Sequence, residues 1–147
     1  EPGSDEYKLV RRWIASGMPF GKDTDPVVTK ITVSPEHRIL TRSNRQQFTV
    51  IAHYSDGSTQ DVTQRAQFES NDTEIAVVEG AALVRSLEMS GEAGIMARYQ
   101  GQVAVFRATV PLGLKVPDYK FEERTIVDKY TVKKWKELGI VPSEVSN

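Results

Sequence analysis

The sequence contains no cysteine among its 147 residues. This absence excludes disulfide bonds, thiolate zinc sites, iron–sulfur clusters and haem attachment through a Cys-x-x-Cys-His motif within the chain. No run of about 18 or more consecutive apolar residues occurs, so we expect no transmembrane helix and no membrane insertion. The formal net charge is only −1. Because nucleic-acid-binding domains usually carry a strongly basic surface, we expect no nucleic-acid partner.

What the chain does contain is enough apolar material for a buried core. Hydrophobic residues make up 39% of the sequence and charged residues 27%. This balance is typical of a folded globular protein rather than a disordered chain. The length fits one domain with short additional segments. We divide the chain into an N-terminal helix and linker at 1–26, a β-sandwich at 27–111, and a linker and C-terminal helix at 112–147.

The clearest pattern is the alternation in residues 46–63. A period of two places alternate side chains on opposite faces of a strand, one buried and one in water. The turn formers at 55–58, with Gly57 among them, end this strand. The expected inner face holds Phe48, Val50, Ala52 and Tyr54, and the outer face holds Gln47, Thr49 and His53.

Similar short strands recur along the middle of the chain. They are predicted at 28–34 (with Ile31 and Val33 inward), 46–54, 66–70, 75–78, 83–86, 93–99 and 103–110, with an edge piece at 61–63. About seven strands at this spacing, separated by turn signals, indicate a mostly β, immunoglobulin-like two-sheet sandwich. In this prediction His37 lies in a loop after Pro35.

One amphipathic helix is predicted on each side of the sandwich. The first covers residues 4–16 and ends at Gly17. The second covers residues 125–138, where Thr125 and Asp128 form a near capping box and Gly139 ends the helix. Their apolar stripes consist of Leu9, Val10, Trp13 and Ile14 in the first, and Ile126, Val127, Tyr130, Trp135 and Leu138 in the second. We expect both helices to pack on the sandwich or on each other, because these side chains would otherwise be exposed.

The order of several short motifs resembles bacterial immunoglobulin-like domains of group 2. The motifs are ITVSP at 31–35, FTVIA at 48–52, YSDGS at 54–58, DVT at 61–63, Phe68 with Ser70, IAVV at 75–78, LV at 83–84, GEA at 91–93 and IMA at 95–97. The resemblance covers residues 28–110. Two positions depart from the family pattern. Phe68 stands where the family often has Trp, and Ala82 stands where it usually has Gly, so Gly80 is a candidate to supply the turn conformation.

The two flanks carry a second resemblance. Residues 9–19, LVRRWIASGMP, resemble the closing helix of a planctomycete-type cytochrome c domain. Residues 126–143 resemble the opening helix of the uncharacterised domain that follows such modules in large exported proteins. The resemblance implies a haem domain upstream and an uncharacterised domain downstream as partners, and a periplasmic or cell-surface location. Because the haem-attachment motif is absent, we expect this chain to bind no haem. We expect no other cofactor either.

Single candidate residues give no constellation that indicates a reaction. A metal site built on His37 and His53 would need them close together with a carboxylate, and two surface histidines is the simpler interpretation. The acids Asp56, Asp61 and Asp72 do not have the spacing of a calcium-binding loop. We expect Asp56 to bond its own turn and Asp61 to lie in an edge strand. We therefore assign no catalytic, cofactor-binding or metal residues; binding residues stay unknown and calcium binding stays open.

Three functional hypotheses remain. The favoured one is a non-catalytic module that acts as a structural spacer or a protein-interaction domain in a larger exported or cell-surface protein. The alternative is an adhesin-type module that binds surface polysaccharide or another cell-surface partner. It requires an exposed aromatic or polar cluster at a loop end or on a sheet face. Ile51 and Tyr54 are the candidate residues for such a cluster. An enzyme fragment is the third hypothesis, although no catalytic constellation supports it.

Overall fold

The computed structural model describes residues 3–113 and 119–143, and within them it shows ten strands between two helices. The predicted linker that begins at residue 112 includes residues 114–118, which lie outside the described residues. In chain order the elements are α1 (Asp5–Ala15), β1 (Val28–Ser34), β2 (His37–Ile39), β3 (Arg45–Gln47), β4 (Thr49–Tyr54), β5 (Thr59–Asp61), β6 (Gln67–Ser70), β7 (Ala76–Glu79), β8 (Leu83–Ser86), β9 (Gly91–Tyr99), β10 (Gln102–Val110) and α2 (Ile126–Leu138).

The strands form two layers. One layer is the four-stranded sheet β2-β10-β9-β6. The other consists of β1-β4-β5 and β3-β8-β7, which are joined because β3 runs on into β4 through Phe48. The Phe48 N–H donates to the Ala82 carbonyl oxygen at 3.1 Å, so the pairing of β3 continues up to this junction. The predicted immunoglobulin-like two-sheet sandwich is confirmed.

Strand β2 corrects the prediction that His37 lies in a loop. The chain leaves β1 at Ser34 and changes sheets, and β2 then pairs in parallel with β10, with His37 opposite Arg107. The other strand pairs are antiparallel. A strand of three residues is too short for an alternating pattern to be recognised in the sequence.

The predicted bounds of two other strands were also wrong. The single strand predicted at 46–54 is divided into β3 and β4, because its first part pairs with β8 and its second part with β1. The edge strand predicted at 61–63 is β5, which ends at Asp61. Thr63 lies beyond it and is buried.

The core lies between the two layers and is centred on three phenylalanines. The rings of Phe48 and Phe106 are stacked with centroids 5.0 Å apart, and Phe68 meets Phe48 edge to face at 5.5 Å. Both geometries are favourable for aromatic pairs. Ile31 and Val33 are buried, as predicted. Phe68 therefore does the packing expected of a large aromatic at this position.

The turn before β8 uses an alanine in a conformation that favours glycine. Ala82 has φ = 61° and is fully buried, and Gly80 has φ = 56°. Both residues therefore adopt the left-handed conformation, and the presence of Gly80 does not relieve Ala82 of it. A left-handed alanine costs about 1 kcal/mol relative to glycine, and burial of its methyl group in the core offsets a similar amount.

Helix α1 forms where the sequence predicts it, but its predicted packing was wrong. The Ser4 hydroxyl accepts a hydrogen bond from the Tyr7 N–H and caps the helix. No residue of α1 is buried, and Trp13 is 42% exposed, with its Nε1–H donating locally to the Pro19 carbonyl oxygen. An amphipathic pattern identifies the apolar face of a helix, whereas the tertiary fold decides whether a surface covers it.

Helix α2 is capped as predicted but buries different residues. The capping box between Thr125 and Asp128 is complete, and Gly139 ends the helix with φ = 72°. Val132 is buried, Trp135 and Leu138 are half-buried, and the predicted stripe residues Ile126, Val127 and Tyr130 are exposed. Neither helix of the described chain is long and apolar enough to cross a bilayer.

Candidate functional site

Helix α2 is attached to the sandwich through a polar network that we call the α2 junction: His37, Glu92, Thr109 and Lys134. The Lys134 ammonium group donates to Glu92 Oε2. The buried Thr109 hydroxyl donates to the same oxygen at 3.0 Å. His37 Nε2 lies 2.9 Å from Thr109 Oγ1. Because the single hydroxyl hydrogen goes to Glu92, His37 must donate in that contact through Nε2–H.

Charge stabilises the ionised form of Glu92 at this junction. The hydrogen bond from Lys134 is the largest cause that lowers the pKa of Glu92 below its ordinary value. The Thr109 hydrogen bond and the charges of Lys134 and Arg107 lower the pKa further, while partial burial opposes them. The carboxylate therefore stays charged at neutral pH and links β9 to α2.

Apolar and backbone contacts reinforce the ionic link. Val132 is only 3% exposed, and the Leu112 N–H donates to the Leu138 carbonyl oxygen at 2.8 Å. The Trp135 ring meets Phe121 edge to face at 5.5 Å. An ion pair and a backbone hydrogen bond thus connect α2 to β9 and to the chain after β10, while Trp135 packs on the segment that precedes α2; α1, in contrast, buries no residue.

A second polar cluster occupies the opposite end of the sandwich, at the β9–β10 hairpin. This hairpin-end cluster consists of Tyr54, Arg65, Gln67, Tyr99, Gln100 and Gln102. The Arg65 guanidinium carbon lies 5.6 Å from the centroid of the Tyr99 ring. A cleft of about 440 Å³ opens here, lined by Arg65, Gln67, Gln102 and neighbouring residues.

The two tyrosines of this cluster come from different layers. Tyr54 ends β4 and Tyr99 ends β9. The Tyr54 hydroxyl donates to Gln60 Oε1 at 2.9 Å. Burial and a hydrogen bond with Tyr99 raise the pKa of Tyr54. The Tyr54 phenol therefore remains neutral at physiological pH, and the positive charge of the cluster comes from Arg65.

The DVT motif at 61–63 has a structural task that sequence analysis did not identify. Asp61 Oδ1 accepts hydrogen bonds from the Thr63 N–H at 2.9 Å and the Thr63 hydroxyl at 2.6 Å. The Thr63 oxygen in turn accepts from the buried Val50 N–H at 2.9 Å. The hydrogen bonds from Thr63 lower the pKa of Asp61. The motif thus satisfies a core backbone donor.

The structure does not bring the predicted candidate residues together. His53 Nε2 contacts Thr32 Oγ1 at 2.9 Å on one layer, while His37 lies on β2 of the other layer. Within residues 3–113 and 119–143 no three His, Asp or Glu side chains are grouped so that they could hold a metal ion.

The three acids near turns bond to separate backbone segments. Asp56 accepts from the Ser58 N–H at 2.9 Å, as expected for an acid that bonds its own turn. Asp72 accepts from the Glu74 N–H at 3.0 Å. Asp61 is paired opposite Ile51 in the edge strand β5, as expected. These three carboxylates therefore stabilise three local turns.

Comparison with known proteins supports the fold and the resemblance of the sandwich to bacterial immunoglobulin-like domains of group 2. Residues 27–98 match the model of the bacterial Ig-like domain (group 2). A segment of 87 residues is 31% identical to Ice-binding protein 1 of Shewanella frigidimarina (strain NCIMB 400); it covers 59% of this chain but only 10% of that protein.

Solved structures of the S-layer protein SbsC have a similar fold. One crystal structure matches with a TM-score of 0.51 at 19% identity and covers 67% of this chain and 15% of the SbsC chain. Domains 4 and 5 of the same protein match with a TM-score of 0.50 at 18% identity, over 58% of this chain and 53% of that one. This chain thus spans 10% of Ice-binding protein 1, 15% of the longer SbsC chain and about half of the two-domain SbsC chain. The sandwich is of immunoglobulin type, and its residues 27–98 match the bacterial Ig-like domain of group 2.

Proposed function

We propose that this chain is a non-catalytic immunoglobulin-like module that spaces and orients neighbouring domains of a larger exported or cell-surface protein. The observation that carries this proposal is the attachment of α2 to the sandwich at the α2 junction. A helix held by an ion pair and a backbone hydrogen bond fixes the direction in which the chain leaves the module. The similarity to an ice-binding protein and to a surface-layer protein supports a location outside the cytoplasm.

The two helices would then have different tasks. Helix α2 would set the angle of a domain on the C-terminal side, which the flank resemblance indicates is of the uncharacterised type. Helix α1 buries no residue, so a domain on its side, of the haem type by the same resemblance, would move more freely. The module would be stiff toward one neighbour and loose toward the other.

Distance measurements between pairs of spin labels test this asymmetry. The chain has no cysteine, so labels can be placed through Lys30→Cys with Lys129→Cys, and through Lys30→Cys with Arg11→Cys, at exposed positions of β1, α2 and α1. We expect a narrow distance distribution for the β1–α2 pair and a broad one for the β1–α1 pair. A pair within the sandwich, Lys30→Cys with Glu69→Cys, is the rigid reference. A β1–α2 distribution as broad as that of β1–α1 would contradict the proposal.

The hairpin-end cluster favours a second candidate function. An adhesin-type module needs exposed polar or aromatic groups at a loop end, and this cluster places an arginine, amides and tyrosines around one open cleft. Loops on a rigid scaffold are common places for binding residues. Binding of a surface polysaccharide is compatible with the connecting role, because the α2 junction and the hairpin lie at opposite ends of β9 and β10.

A further inference from the structure

Arg65 is the group of the hairpin-end cluster with unused binding capacity. Its guanidinium group lies over the face of Tyr99, which restricts the side chain through cation–π attraction. Among the described residues no carboxylate lies within ion-pair distance of Arg65, whereas the neighbouring Arg98 is paired with Glu69 at 3.2 Å. The cluster therefore presents one positively charged fork that is held in place by an aromatic ring.

A planar guanidinium fork has a preferred ligand chemistry. Arginine binds carboxylates through two parallel N–H···O hydrogen bonds, and such charge-assisted pairs are stronger than neutral ones. An exposed arginine normally loses side-chain entropy when it binds. Contact with Tyr99 reduces that loss because part of the ordering is already present. The site is thus suited to a carboxylate.

The amide side chains around Arg65 indicate what carries the carboxylate. Gln67, Gln100 and Gln102 line the same cleft, and each amide both donates and accepts hydrogen bonds. Sugar hydroxyl groups also donate and accept, so amides match them. Val103 is the aliphatic residue in the lining. Because Val103 is its single aliphatic side chain, the cleft lacks a set of aliphatic pockets for the hydrophobic anchors that dominate peptide recognition.

We propose that the hairpin-end cluster binds the uronate residues of an acidic polysaccharide. Arg65 binds the sugar carboxylate, the glutamine amides bind ring hydroxyls, and Tyr99 is a positioning residue that orients Arg65. This assignment rests on the second candidate function and names its ligand class and residues. It is independent of the connecting role of α2.

The test is a titration of the isotope-labelled full chain with oligogalacturonate, followed by amide resonances. We expect resonance shifts confined to residues 65–67 and 98–103. Oligogalacturonate with its carboxyl groups reduced to alcohols should produce no such shifts. Arg65→Gln should weaken binding at least about tenfold, the loss typical of a charge-assisted hydrogen bond. The same change at an exposed arginine near the other end of β10, Arg38→Gln, should leave the affinity unchanged.

Two variants of Tyr99 examine the positioning role. Tyr99→Phe keeps the ring beneath Arg65 and should bind nearly as well as the wild type, whereas Tyr99→Leu removes the ring and should weaken binding. A dispersed amide spectrum shows that each variant is folded. Equal loss in both variants would overturn the role of the ring.

Each other outcome of the titration is also decisive. Equal binding of the reduced oligosaccharide overturns the role of the carboxylate, and equal binding of poly-glutamate shows a general anion site instead of a polysaccharide site. Shifts elsewhere on the surface would keep the second candidate function but overturn this location. Absence of shifts with oligogalacturonate overturns the uronate assignment, and the spin-label result for α2 is unaffected in either case.

Discussion

Among single residues, Thr63 shows how one hydroxyl group can join two parts of the sandwich. Its oxygen accepts a hydrogen bond from the Val50 N–H in the core, and its own hydrogen goes to Asp61. Val50 is fully buried, so its N–H cannot bond to water instead. A buried donor without a partner is costly. Thr63 therefore stabilises the start of β4 through the hydrogen bonds of its hydroxyl group and not through the shape of its side chain.

Thr63→Val tests this role because valine has nearly the same shape but no hydroxyl group. We expect the free energy of unfolding to fall by about 1–3 kcal/mol, the cost of an unsatisfied buried donor, as measured by urea denaturation. The matched control is Thr49→Val at an exposed position of β4, which should change the free energy by less than about 0.5 kcal/mol. Equal effects of the two substitutions would show that the Val50 hydrogen bond is unimportant.

Among the secondary-structure elements, α1 and α2 illustrate that helix formation and helix docking have separate causes. Both helices begin at a side-chain cap. Only α2 has its last turn tied to the chain after β10, where the Leu112 N–H meets the Leu138 carbonyl oxygen. This contact and the Glu92–Lys134 pair hold α2 beside β9 and the end of β10, and Val132 is buried within α2.

The attachment of α2 should depend on pH through Glu92. The pKa of Glu92 in the folded protein is lowered from its ordinary value of 4.5. Ionised Glu92 therefore stabilises docking fully above about pH 4.5, and this contribution is lost as the pH falls through the lower folded value. Amide resonances of α2 followed between neutral and acidic pH should show this loss.

Glu92→Gln separates this effect from other titrations. The variant should show altered α2 resonances already at pH 7 and should lack the acidic transition that depends on Glu92. Asp128 of the capping box also has a lowered pKa, but wild type and variant both keep it, so its contribution cancels in the comparison. Glu123→Gln, at an exposed position before α2, is the matched control and should behave as the wild type. Identical pH profiles of Glu92→Gln and the wild type would contradict the proposed role of Glu92.

For the whole molecule, stability resides in the sandwich and not in α1. The buried hydrophobic cluster includes residues of β1, β4, β8, β9 and β10, such as Val33, Val50, Val84, Ile95 and Phe106, and none from α1. Burial of apolar surface is the dominant favourable contribution to folding. The two segments that flank the sandwich, one with α1 and one with α2, therefore differ in their effect on the stability of the protein.

Removal of residues 1–17 should change the free energy of unfolding by less than about 0.5 kcal/mol, since no α1 residue is buried. Removal of residues 125–147, in contrast, takes away Val132 and the Lys134 partner of Glu92, and should lower the free energy by about 1–3 kcal/mol. Thermal and urea denaturation of both truncated chains measure these changes. A large loss on removal of α1 would show that it docks after all.

The sequence by itself determined the local structure of this protein. Alternation predicted β1 and β8 with their bounds and the inward faces of β1 and β4, and capping residues predicted both helices. These features depend on neighbours within a few positions, so a short window of sequence contains their causes. The order of short motifs also indicated the immunoglobulin-like sandwich.

Only the tertiary structure decided the two candidate sites. His37 and Thr109 are far apart in the chain, as are Arg65 and Tyr99, and neither pair shares a local pattern. Parallel pairing of β2 with β10 brings the first pair together, and the meeting of both layers at the hairpin end brings the second. The same reason explains why the predicted docking of α1 and the predicted buried face of α2 were wrong. Contacts between distant segments depend on how the whole chain folds, which local periodicity does not encode.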